Sequence, residues 1–228
     1  MINKIQMETN RNAAKITGLL LLLHFAIGVV INLFILGPLT FTDDNLASIS
    51  GNAQQLIIAV LLYLISGVMY VSIAIILLPI FKPVNQRLAL MFFGFSLISF
   101  TIITLDSLGI LTLLSISKEY AKGNAVDTNY LKTLGTVFSA VRMWAHLLVI
   151  LIGCVSLFLF YYLFYRSKRI PGIISASGLL SVLLMLTAVL IDIFGQGLYM
   201  FLFLPAGLVQ IAAAVWLMIK GFNKPSVE

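Results

Sequence analysis

Six uninterrupted apolar runs, each long enough to cross a bilayer, constrain this chain more than any motif in it. A helix rises about 1.5 Å per residue and needs roughly 20 mostly apolar residues to cross a hydrocarbon core about 30 Å thick. Residues 16–39, 56–81, 88–116, 137–165, 171–194 and 198–219 each meet that length. Their apolar residues run continuously instead of alternating with polar ones, which excludes the walls of a membrane β-barrel. Lipid offers the backbone no hydrogen bonds, and a helix satisfies its own. The expected fold is all-α: a polytopic membrane protein whose residues 1–228 form a single six-transmembrane-helix bundle.

Composition agrees. The chain is 61% hydrophobic and 10% charged, with a mean hydropathy of +1.10, where soluble domains are roughly 45–50% apolar. A net charge of +6 would suit nucleic acid if it were gathered in one patch, but the bases are spread over short connections. The expected partner is the lipid bilayer, not nucleic acid. One side carries Lys4, Arg11, Lys15, Lys82, Arg87, Arg166, Lys168, Arg169, Lys220 and Lys224; the other carries Lys118, Lys122 and Lys132, with Asp43 and Asp44 in the first connection. The excess of bases marks the cytoplasmic side, so both termini are expected there. The first run is longer than the roughly 7–15 residues of a signal-peptide core and lacks a small-residue cleavage pattern, so it is read as a retained anchor. Tyr161, Tyr162, Tyr165 and Trp216 fall where headgroup-level aromatic anchors belong. Asp127 is placed to cap a helix leading into the fourth span. A single cysteine, Cys154, excludes a disulfide framework.

Between helices in lipid, small residues permit close approach and polar residues bond across the contact. Every run carries such a stripe at helical spacing: Thr17, His24 and Gly28; Tyr63, Ser66, Gly67, Tyr70 and Ala74; Ser99 and Asp106; Gly135, Ser139, Arg142, His146 and Gly153; Gly178, Ser181, Met185, Ala188 and Asp192; Gly207, Gln210 and Ala214. Six stripes predict one shared interior. The polar positions are expected in two layers, His24, His146 and Gln210 near mid-membrane and Asp106, Arg142 and Asp192 toward the outer boundary. Pro205 and Gly207 predict a break near the middle of the sixth helix, read as a packing kink.

Ionisable groups within spans face the interior and pair with one another. Arg142 can pair with Asp106 or Asp192, either as a structural clamp or as the lining of an outward-facing polar cavity. The candidate ligand-binding residues are Arg142, Asp106, Asp192, His146, His24 and Gln210. The expected function is binding or transport of a small or amphiphilic molecule. Two alternatives stay open: an intramembrane enzyme using His24 and His146, with a proton relay through Gln210, and a non-catalytic membrane partner or immunity-type protein. A metal centre needs three convergent ligands, and the carboxylates lie too far outward, so no metal, cofactor or catalytic residue is expected. No nucleophile elbow, phosphate loop, dinucleotide fingerprint or zinc-protease pair is present. Oligomeric state is not encoded in any motif.

The stretches RNAAKITGLLLLL (11–23), LLPIFKPVNQRLAL (77–90), YRSKRIPGIISASGLL (165–180) and QIAAAVWLMIKGF (210–222) resemble, in matching order, the bacterial multi-pass membrane family catalogued as domain of unknown function 4386. The resemblance implies a six-helix protein of the bacterial cytoplasmic membrane and carries over no activity or catalytic residue. Gln210 stands where that family commonly has an acidic residue, and Phe93 or Gly94 where it commonly has a base.

Overall fold

The structure, a computed structural model, describes residues 2–40, 45–123, 128–195, 197 and 199–223. Among these residues there are helices and no strands. Six helices are long and apolar enough to cross a membrane: Asn10–Leu39, Ala53–Phe81, Gln86–Ala121, Thr128–Ser167, Gly172–Ile193 and Met200–Ile219. Asp43, Asp44, Asp127 and Lys224 lie outside the described residues, and with them the expected cap of the fourth span.

The first span begins as α1 (Ile2–Val29), continues as a π-helical stretch (Val30–Leu36), and ends in the short α2 (Gly37–Thr40). The wide turn has a local cause. Pro38 in a regular α-helix would drive its ring into the carbonyl four residues back, and widening the preceding turns moves that carbonyl away. The Gly37 amide accordingly donates to Asn32 O, five residues back. A β-carbon at Gly37 would lie 2.7 Å from that same oxygen. The Asn32 side chain donates to Gly28 O at 2.9 Å. After α3 (Asn45–Gly51) come α4 (Ala53–Phe81) and α5 (Gln86–Ala121). Asn85 Oδ1 accepts the Leu88 amide at 3.1 Å and so caps the start of α5.

The long α6 (Thr128–Ser167) and α7 (Gly172–Ile193) are joined by a short turn in which Lys168 adopts a φ of 53°. Asn223 fastens that turn: its amide donates to Arg169 O at 2.8 Å, its Nδ2 to Lys168 O at 3.1 Å, and Arg169 Nη1 donates to Asn223 O at 3.3 Å. A 3₁₀ turn at Met200–Phe203 leads into α8 (Leu204–Ile219). The expected mid-helix break at Pro205 is corrected here. Pro205 lies in the first turn of α8, where its missing N–H has no intrahelical partner to lose.

By its internal contacts the chain divides into two compact units, Met1–Phe25, Met69–Ser99 and Ile150–Glu228 forming one and Ala26–Val68 with Phe100–Val149 the other. The first unit is built around aromatic rings. Phe164 meets Phe81 at 4.9 Å and Phe160 at 4.8 Å, both edge to face, the geometry favoured by ring quadrupoles. Small and polar residues set its helix contacts: Gly18 faces Ala214 O, and Ser96 and Ser156 share a hydrogen bond at 3.1 Å. Tyr161 departs from the interfacial role expected of it. It is fully buried, because Gly178 leaves room for its ring. Cys154 is buried in the same core.

The second unit has a core of Ile31, Leu36, Ile49, Leu56, Ala59, Ile103, Ile110 and Leu113, with Gly67 against Phe100 and Gly135 against Leu46. The helix faces are arranged as lipid requires. α4 buries Tyr63, Ser66, Gly67 and Tyr70 and exposes Leu61, Ile65 and Val68; α5 buries Ser99, Asp106 and Ser107 and exposes Leu97, Leu105 and Leu108. Aliphatic side chains outside and hydroxyls and charge within is the pattern of a membrane-embedded chain. The protein is an integral membrane protein.

Candidate functional site

Within the second unit, three helices bring four polar side chains together. Tyr63 comes from α4, Asp106 from α5, and Arg142 and His146 from successive turns of α6. The four-residue spacing of the last two puts both on one helical face. Asp106 is 0% exposed. Its Oδ1 lies 3.8 Å from Arg142 Nε and its Oδ2 lies 3.7 Å from His146 Nδ1. The Tyr63 hydroxyl lies 3.4 Å from the same imidazole nitrogen. Gly109, one turn on from Asp106, faces the Arg142 stem: a β-carbon there would sit 3.7 Å from Arg142 Cβ, in ordinary contact.

The carboxylate is paired by charge but not by hydrogen bonds. Both ion-pair distances exceed the 2.7–3.2 Å of N–H···O bonds. Both Asp106 oxygens and Arg142 Nε are buried without a hydrogen-bond partner among the described residues. A buried carboxylate in that condition retains full capacity to bond a further polar group. The Arg142 and His146 side chains are 12% and 23% exposed, so these two basic groups can be reached while the carboxylate behind them cannot.

The other residues singled out in the sequence fall in the first unit. His24 stacks on Tyr70 with ring centroids 5.1 Å apart. Gln210 Nε2 donates to Leu21 O at 3.3 Å, which ties α8 to α1. Asp192 occupies the last turn of α7, half-buried, and its carbonyl accepts the amides of Phe194 and Gly195. The expected layering is therefore corrected: His146 belongs with Asp106 and Arg142, and the two histidines fall in different units. Even from the expected span ends, Asp106 lies ten residues from Ile116 and His146 nine from Val137, a matching depth of about 15 Å, and both helices extend beyond those spans. α6 begins at Thr128, not Val137, and α5 runs to Ala121, not Ile116. Arg142 is then 14 residues from the start of α6 and Asp106 15 from the end of α5, each about 22 Å along its helix. Matching depth brings them together, and the next turn of α6 brings His146 to the same carboxylate.

Tyr63 was legible only as one member of the α4 stripe. The signal that could have singled it out is a phenol among small residues on a buried face, where its hydroxyl needs a partner. Among the described residues, no three His, Cys, Asp or Glu side chains come close enough to hold a metal ion.

The fold and this cluster define a class: a polytopic helical membrane protein with a charged group enclosed among its helices. The chain belongs to the family described as Domain of unknown function (DUF4386), whose model matches residues 16–221. No curated protein and no solved structure matches it.

Proposed function

We propose that the protein binds a small or amphiphilic molecule at the Tyr63, Asp106, Arg142 and His146 cluster and carries it in the bacterial cytoplasmic membrane, with both termini in the cytoplasm. One observation carries the reading: a fully buried carboxylate faced by a guanidinium and an imidazole and hydrogen-bonded to neither. A purely structural clamp would be expected to close to a bidentate contact of about 2.7–2.9 Å. A group that does not close on itself leaves the guanidinium and the imidazole able to meet a further partner, and a bound molecule supplies one. A reachable guanidinium and imidazole in front of an enclosed carboxylate form a site with a direction of entry. The distribution of bases between the connections supports the orientation.

The test is a ligand screen by thermal stabilisation of the purified protein. The double replacement Asp106→Leu with Arg142→Met removes both charges together and so avoids the large penalty of leaving one unpaired. It is expected to stay folded and to lose the stabilisation given by any hit. A double variant that keeps the full response would rule out this cluster as the binding site. Reporter fusions at residues 84 and 123 test the orientation: cytoplasmic activity at the first and external activity at the second is the expected pattern.

A further inference from the structure

We infer that this cluster takes up a monoanionic group together with one proton, the proton on His146 Nε2 and the anion between that nitrogen and the terminal nitrogens of Arg142. The inference rests on the reading of the cluster as a ligand site and adds the charge of the ligand and the ion coupled to it.

It starts from the charge balance. The groups that surround His146 are Tyr63 from α4, Asp106 from α5, and Arg142 one turn earlier on its own helix. The remaining helical segments of this unit, residues 26–40 and 45–51, contain no ionisable side chain. A guanidinium is always cationic, Asp106 as carboxylate balances it, and a neutral imidazole leaves the sum at zero.

Next comes the tautomer. His146 Nδ1 faces Asp106 Oδ2 at 3.7 Å. A lone pair on Nδ1 would point at the lone pairs of the carboxylate, so the proton of the neutral ring belongs on Nδ1 and the free lone pair on Nε2. The Tyr63 hydroxyl, 3.4 Å from Nδ1, borders the same edge of the ring. A second proton therefore arrives at Nε2, on the edge away from Asp106. Arg142 likewise makes its Asp106 contact through Nε, which leaves its terminal nitrogens as donors. Asp106 orients both side chains from behind and, being fully buried, does not compete for the ligand.

Protonating His146 raises the cluster to +1. An unbalanced charge among apolar helices is costly. One monoanion in front of Nε2 and the guanidinium restores neutrality and gains charge-assisted hydrogen bonds. An anion entering without the proton would leave a net −1, and a proton without the anion a net +1. Each ligand therefore raises the affinity of the other, and by linkage the coupling is reciprocal. The shared chemistry is a monoanionic head, carried either by a small water-soluble ion or by an amphiphile entering from the bilayer.

The experiment uses the full chain in phosphatidylcholine nanodiscs, titrated calorimetrically with methanesulfonate and with decanesulfonate. A sulfonate stays anionic throughout, so any proton taken up lands on the protein. Two buffers of different ionisation enthalpy give the proton count. Expected is proton uptake accompanying anion binding, with an affinity that falls as pH rises. Binding of methanesulfonate assigns a water-soluble ligand, and binding of decanesulfonate alone an amphiphile. His146→Gln is expected to bind about tenfold more weakly, without proton uptake and with no pH slope; Arg142→Gln is expected not to bind. Anion binding without proton uptake, or an unchanged pH slope in His146→Gln, would overturn the coupling and leave the cluster standing as a ligand site. Failure of both sulfonates at every pH would overturn the anion. Decyltrimethylammonium in the same preparation then separates the two readings: binding that is lost in the double charge-removal variant keeps the cluster as a site of opposite preference.

Discussion

The ring of Tyr161 occupies the space that a side chain at residue 178 would need. A β-carbon on Gly178 would overlap Tyr161 Cδ1, and the ring is fully buried. Overpacking of this kind costs about 1–3 kcal/mol. Gly178→Ala is therefore expected to lower the midpoint of unfolding in mixed micelles, and adding Tyr161→Leu to recover part of the loss. Tyr161→Phe is expected to be close to neutral, because the hydroxyl has no hydrogen-bond partner among the described residues. An unchanged midpoint in Gly178→Ala would mean that α6 and α7 separate at no cost.

Gly18 offers a sharper contrast, because its neighbour is main chain. A β-carbon there would meet Ala214 O at 2.6 Å, whereas one at Gly153 would meet nothing within 4 Å. Gly18→Ala is expected to cost at least about 2 kcal/mol. Gly153→Ala should fall within about 0.5 kcal/mol of wild type, or gain slightly from its better helix propensity. The same unfolding titration reads both, and equal midpoints would show that α1 and α8 are not held at backbone distance.

The hydroxyl pair between α5 and α6 should contribute little. Interhelical hydrogen bonds in membranes average about 0.6 kcal/mol, and Ser96 also bonds its own helix at Phe92 O, 2.8 Å away. Ser156→Ala is expected to cost under about 1 kcal/mol, less than Gly18→Ala. A loss above about 2 kcal/mol would identify a network extending beyond this pair.

Charge removal at the cluster should be strongly non-additive. Replacing Arg142 alone strands a fully buried carboxylate, and breaking a buried pair costs about 3–5 kcal/mol. Arg142→Met and Asp106→Leu are each expected to be severely destabilising, and their combination to recover most of the loss. A double-mutant cycle measures the difference. Additive losses would mean that the two side chains do not interact.

The turn between α6 and α7 can be read by proteolysis. Asn223 bonds both Lys168 and Arg169, and Asn223→Ala removes the side-chain contact. Trypsin cleavage after Lys168 or Arg169, followed by intact mass, is expected to accelerate several-fold, since proteolysis follows local opening. An unchanged rate would assign the fastening to the backbone bonds alone.

Much of the helix packing was legible because lipid leaves few choices. An aspartate at residue 106 between leucines at 105 and 108 can turn only inward, and it is fully buried while both leucines are exposed. The stripe Tyr63, Ser66, Gly67, Tyr70 and Ala74 is buried throughout for the same reason. What hydropathy does not see is a helix that continues past the apolar run. Residues 128–136 mix polar groups with Tyr130, Leu131 and Leu134, so hydropathy marks the fourth span only from Val137 although its helix begins at Thr128. Side-chain contact, which hydropathy does not show, joins His146 to Asp106 and not to His24. Tyr161 was assigned to the headgroups because an aromatic at a span end usually belongs there, whereas its place depends on the hole left by a glycine on another helix. Pro205 shows the same limit: a proline opens one helix and kinks another. The left-handed Gly195 and Gly197 just upstream decide in favour of opening.

The solitary sulfur of Cys154 has a practical meaning. With 1% of its surface exposed and no second thiol in the sequence, the native chain should be nearly silent toward maleimides. A cysteine introduced at any surface position therefore becomes the sole reactive handle in an otherwise unaltered protein. Membrane sidedness, and the approach of reagents to each turn of α6, can then be mapped residue by residue.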